Sequence, residues 1–128
     1  MPPRPGLSKG ELEVARVVWD LKQATVRAVY NALADVRDID FTTVQTYLRR
    51  LEEKGYLNVR MEGRVRSYSP KVRPRTVIRE TVSDLVDRLF AGDSMPLVRH
   101  LVEDSRFTEG ELEQLRQLID RLEGDSDE

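Results

Sequence analysis

FTTVQTYLRRLEEKG, residues 41–55, reads as one helix whose faces make incompatible demands. Val44, Leu48 and Leu51 recur at helical spacing and form an apolar stripe, with Tyr47 beside it. Thr42, Thr43, Thr46, Arg49 and Arg50 point elsewhere, short hydroxyls near the start and guanidinium groups a turn or two later. Asp40 stands where an N-cap belongs, and Gly55 follows the last periodic residue, where a left-handed C-cap costs little. A helix buried on one side and offering this order of polar groups on the other suits a DNA major groove. Bases require close approach and phosphates require reach. Threonine is a mediocre exposed helix former, so its recurrence here calls for a reason beyond propensity. Contact with base edges and thymine methyls supplies one.

The flanking segments place this helix third in a series. Ser8 and Glu11 have capping-box spacing ahead of a face made by Leu12, Ala15, Val18 and Trp19, while Pro2, Pro3 and Pro5 keep the preceding stretch non-helical. A second short helix is expected after Thr25, with Val26, Val29, Tyr30 and Leu33 inward, and residues 36–40 form the turn of a helix-turn-helix. After Gly55 the period changes to two: Leu57, Val59 and Met61 alternate with Asn58 and Arg60, Glu62-Gly63 can turn, and residues 65–69 return to Pro70. A helix-turn-helix followed by such a hairpin is a winged helix. Arg60, Arg64 and Arg66 then put guanidiniums where a wing meets DNA backbone or minor groove.

Beyond Pro74 the chain is helical again. Val77, Ile78, Val82, Leu85, Val86 and Leu89 are expected on one helix face reaching about Phe90. Gly92 interrupts it, and Pro96 opens a short helix holding Leu97, Val98, Leu101 and Val102. Thr108 and Glu111 then cap a last helix with Leu112, Leu115, Leu118, Ile119 and Leu122. These helices are too short to bury a core well alone, and the simplest cover for their apolar faces is a second copy of the chain. The fold class expected is mainly α with a small β wing. Residues 7–74 form the winged helix, 75–124 a helical dimerisation region, and 1–6 and 125–128 flexible tails. Ile78, Val82, Leu85, Leu89, Leu97, Leu101, Leu112, Leu115, Leu118, Ile119 and Leu122 are the candidate dimer contacts. His100 is expected partly buried among them.

Charge sorts the two halves. The net charge of −2 hides a sum of +6 over residues 1–75 and −8 over residues 76–128. A basic front and an acidic rear suit a polyanion-binding unit followed by one that avoids polyanions. There are no cysteines and one histidine, and no acidic cluster has calcium-loop spacing, so neither a cofactor nor a metal site is expected. No apolar run approaches the ~20 residues needed to span a bilayer, and residues 1–11 lack a signal-peptide core, so a cytoplasmic location is expected. A small metal-dependent nuclease would need paired carboxylates that are missing here. A winged helix used to bind another protein, without DNA, is the alternative from another class, and the basic front half counts against it.

The blocks LSKGELEVARVVWD, TVRAVYNAL, FTTVQTYLRRLEEKGYL and GRVRSYSP together resemble the BlaI/MecI family of bacterial transcriptional repressors, over residues 7–122. The resemblance implies a homodimeric repressor and operators with inverted TACA/TGTA-like half-sites. It implies that Thr42, Thr43 and Thr46 face bases, that Arg50 meets phosphate, that Arg64 and Arg66 lie on the wing, and that Thr25 approaches phosphate at the start of the second helix. It also implies a regulatory protease as a partner, because resistance-linked members are cut at an Asn-Phe bond in the dimerisation region. His100-Leu101 stands there in this chain, so either that cleavage is absent or a different protease performs it. The cysteine-rich motif of the copper-responsive branch is missing.

Overall fold

Ser8 opens the first helix with both halves of a capping box: its hydroxyl accepts the Glu11 N–H at 3.2 Å, and the Glu11 carboxylate accepts the Ser8 N–H at 2.8 Å. The computed structural model describes residues 4–126, so the parts of the expected tails at residues 1–3 and 127–128 lie outside the described residues. The elements are α1 (Lys9–Leu21), β1 (Ala24–Thr25), α2 (Val26–Ala34), α3 (Phe41–Glu53), β2 (Leu57–Glu62), β3 (Val65–Pro70), α4 (Pro74–Phe90), α5 (Met95–Asp104) and α6 (Glu109–Ser126). The chain divides into two compact units between Val82 and Ser83, within α4.

In the first unit α1, α2 and α3 close over a three-stranded antiparallel sheet of order β1-β3-β2. This is the expected winged helix. The apolar stripe of α3 is fully buried, and Val44, Leu48 and Leu51 meet Val14 and Val18 of α1, Val29 and Leu33 of α2, and Leu57 and Tyr68 of the hairpin in one core. On α1 the buried stripe is Val14, Ala15 and Val18, whereas Leu12 and Trp19 are half-buried at its margin. Val77 of α4 also enters this core. The α4 face expected as continuous is therefore split: Val77 and Val86 are buried, while Ile78, Val82, Leu85 and Leu89 are exposed.

The hairpin pairs Leu57 with Pro70, Val59 with Tyr68 and Glu62 with Val65, turning at Gly63, whose φ of +67° suits a residue without a Cβ. Strand β1, absent from the sequence-based expectation, adds Ala24 and Thr25 opposite Tyr68 and Ser67. Two residues carry no readable period; pairing alone makes them a strand.

Residues 4–6 were expected within a loose tail. Instead, Arg4 donates to both Glu80 oxygens at 2.8 Å, the Pro5 carbonyl accepts the Tyr56 hydroxyl at 2.6 Å, and the Gly6 carbonyl accepts Lys54 Nζ at 3.0 Å. Three contacts along so short a segment replace a tail with a strap. At the other end α6 continues through Gly124 and Asp125 to Ser126, past the point where fraying was expected.

In the second unit α4 ends where Ala91 and Gly92 take positive φ, α5 carries its proline in the first turn, and Thr108 and Glu111 make the expected reciprocal cap of α6. Leu97 and Leu115 are half-buried; Leu101, Leu112, Leu118, Ile119 and Leu122 are exposed. In the single chain His100 is exposed, its Nδ1 lying 2.8 Å from Asp104 one turn on. No helix among the described residues is long and apolar enough to cross a membrane.

Candidate nucleic-acid interface

The core fixes which residues of α3 reach solvent. Because Val44, Leu48 and Leu51 are wholly buried, the opposite side presents Thr42, Thr46, Arg49 and Arg50, all exposed, with Thr43 half-buried at the flank. Neither Arg49 nor Arg50 forms an ion pair with Glu52 or Glu53 among the described residues; Glu52 instead lies 3.9 Å from Arg66. Thr46 donates its hydroxyl to the Thr42 carbonyl at 3.0 Å. That bond uses the hydroxyl proton and leaves the Thr46 oxygen as an acceptor on the same side chain as a methyl, a combination able to meet a base amino group or a thymine methyl. Gln45 is also exposed on this helix, between Thr42 and Arg49 in helical spacing. Sequence reading missed it, although its amide at i+3 from Thr42 was a usable signal.

Asp40 occupies the N-cap position of α3 with extended backbone, but its side chain makes no capping hydrogen bond. The expected cap is thus positional only, and the first N–H groups of α3 have no side-chain acceptor from it. At the other end Gly55 has φ +88°, the left-handed turn expected of it. Thr25 is the N-cap of α2, its hydroxyl oxygen accepting the Ala28 N–H at 3.1 Å. The hydroxyl proton can still be donated outward.

The hairpin register separates the wing arginines. Arg60 lies opposite Ser67 and Met61 opposite Arg66, so Arg60 and Arg66 project from opposite faces of the two strands. Arg64 is exposed at the turn. Arg66 has an acidic neighbour that sequence reading did not supply: Glu52 of α3, at a loose 3.9 Å. Glu62 accepts instead from Gln23 Nε2 at 2.9 Å, and the same amide nitrogen donates to the buried Ser67 hydroxyl at 2.9 Å, tying the wing to the segment before β1.

At the C-terminal end of α3, Lys54 meets the buried Glu11 of α1 at 2.7 Å. Burial alone would raise the Glu11 carboxyl, but the Lys54 ammonium and the Ser8 N–H hold it below the usual carboxylate range. Burial pushes the Tyr56 hydroxyl up from its ordinary value. No group of histidine, aspartate and glutamate among the described residues could hold a metal ion.

Comparison with known proteins agrees with this architecture. The chain is 29% identical over 116 residues to the penicillinase repressor of Bacillus licheniformis, covering 91% of each. The solution structure of the DNA binding domain of the repressor BlaI superposes with a TM-score of 0.52 at 36% identity, covering 58% of this chain and 90% of that one. The Bacillus licheniformis BlaI monomeric form in complex with the blaP half-operator has a TM-score of 0.50, with the same identity and coverage. A family model, that of the penicillinase repressor, matches residues 7–121. On that match the chain belongs to the penicillinase repressor family, a family of transcriptional repressors rather than of enzymes.

Proposed function

We propose that this chain is a homodimeric, sequence-specific DNA-binding repressor that lays α3 in the major groove of each half of a pseudo-palindromic operator. The observation that carries the reading is the division of α3: a fully buried stripe opposite exposed Thr42, Thr46, Arg49 and Arg50. Thr42, Thr43 and Thr46 face base edges, and Arg49 and Arg50 reach phosphates on either side. Arg64 and Arg66 touch the backbone beside the groove, and Thr25 donates to a phosphate from the start of α2. The complex of a relative with half an operator supports the DNA partner.

The second copy is supported by the apolar side chains that one chain leaves uncovered. Ile78, Val82, Leu85 and Leu89 on α4, Leu101 on α5, and Leu112, Leu118 and Ile119 on α6 are all exposed. Large apolar side chains left exposed in such number mark an association site. Dimerisation brings the second reader to its half-site at high effective concentration, so separating the copies releases DNA without altering α3. A regulatory protease acting at His100-Leu101 would have to unwind α5, since that bond lies inside the helix.

Binding to duplex DNA across a salt series, with sedimentation of the free protein, tests this reading. A dimer at micromolar concentration that binds duplex with steep salt dependence is expected. A monomer, or a protein indifferent to duplex DNA, contradicts it.

A further inference from the structure

We propose that Arg27 is an additional DNA-backbone contact, a guanidinium held over the entrance of the recognition helix by an aromatic platform. The Arg27 guanidinium carbon lies 4.6 Å from the ring centroid of Phe41 and 5.8 Å from that of Tyr30. The two rings support each other edge to face, with centroids 5.6 Å apart and planes at 68°. Phe41 is the first residue of α3, directly before Thr42 and Thr43 in the chain, so the platform places the cation at the start of that helix.

The ring contacts separate Arg27 from an ordinary surface arginine, and two further features leave it able to bind. It is exposed, and it forms no ion pair among the described residues, whereas Arg4, Arg37 and Arg66 each face a carboxylate. A ring contact leaves the guanidinium its N–H donors, which can bind phosphate oxygens in bidentate fashion. An arginine already confined by two rings loses less freedom on docking than a free one. Thr25, two residues earlier, supplies only a neutral hydroxyl to the same end of α2. Arg27 adds the charge that a polyanion requires there.

This inference rests on the DNA-binding reading above, and the test separates the two. Wild type, Arg27→Met and Arg27→Lys are titrated with operator and random duplexes over a salt series, with thermal melts of each protein as the check on folding. Arg27→Met is expected to weaken both duplexes alike and to shrink the slope of log affinity against log salt by about 0.9, one phosphate contact. Arg27→Lys keeps the slope and binds with intermediate affinity, since it retains charge without the stacked fork. Ethylation of one backbone phosphate per half-site interferes with wild type and no longer with Arg27→Met. A folded Arg27→Met with the wild-type slope, whether or not its melting temperature falls, overturns the Arg27 assignment and leaves the reader in place. Wild type with no salt-dependent duplex binding overturns the reader itself.

Discussion

Lys54 Nζ lies 2.7 Å from Glu11 Oε1, joining the exit of α3 to the first turn of α1 through a carboxylate that is almost wholly buried. The same Glu11 oxygen accepts the Ser8 N–H, and the same Lys54 nitrogen donates to the Gly6 carbonyl. One ion pair therefore closes the α1 cap, the strap before it and the end of α3 together. Glu11→Gln is expected to destabilise the winged helix by about 1.5–3 kcal/mol, the range for hydrogen bonds to charged groups. Urea denaturation measures it.

The same pair sets an acid limit. Folding lowers the Glu11 pKa, so its contribution is fully present above the unfolded value of about 4.3 and fades as pH falls through the lower folded value. Wild type should lose more stability than Glu11→Gln between about pH 5 and pH 3. Parallel curves for the two proteins across that window would contradict the assignment.

Gly10 faces the ring of Tyr47, and a Cβ placed there would collide with it. This close approach seats α1 against α3 beside the buried stripe. Gly10→Ala should lower stability, because overpacking at about 1–3 kcal/mol outweighs a helix-propensity gain of at most about 1 kcal/mol. In a Tyr47→Leu background the same change should stabilise. A double-mutant cycle by thermal melting reports the sign change.

Thr46 and Arg50 sit one turn apart on α3 and should fail differently. Thr46→Ala is expected to cost about 1 kcal/mol at one operator base pair and little on random DNA. Arg50→Ala should weaken operator and random duplexes alike and lower the salt slope by about one unit. Fluorescence titrations near 150 mM salt, roughly physiological ionic strength, with matched and single-substituted duplexes distinguish the two patterns.

Leu85 and Leu89 are exposed on α4, whereas Val86 between them is buried. The double substitution Leu85→Asp, Leu89→Asp should yield a monomer by sedimentation while the winged helix stays folded. Its affinity for a full operator should fall by about 10²–10⁴, the avidity that linkage supplies, and its affinity for half an operator should change little.

Much of this molecule was legible because its signals are local. The reciprocal caps at Ser8 and Thr108, the periodic stripe of α3 and the switch to alternation after Gly55 each require only a few consecutive residues, and each is present. The features that escaped depend on distant partners. Glu11 looked like a helix-start carboxylate and is also a buried ion-pair member because Lys54 comes to it. The α4 stripe looked continuous, yet Val77 joins the first unit's core while Ile78 beside it remains exposed. Arg66 gained Glu52 and Arg60 lost its expected companion through hairpin register, which composition cannot reveal. Arg27 gave no signal, since its platform combines Tyr30 at helical spacing with Phe41 from the next helix.

The central claim is that the exposed face of α3 reads bases, twice per dimer. Selection of bound duplexes from a random pool, run in parallel with wild type and Thr46→Ala, tests it most directly. Wild type should enrich an inverted repeat whose half-sites are related by two-fold symmetry, and Thr46→Ala should relax one position in each half. Failure of wild type to enrich any motif, or enrichment of the identical motif by both proteins, would contradict the account.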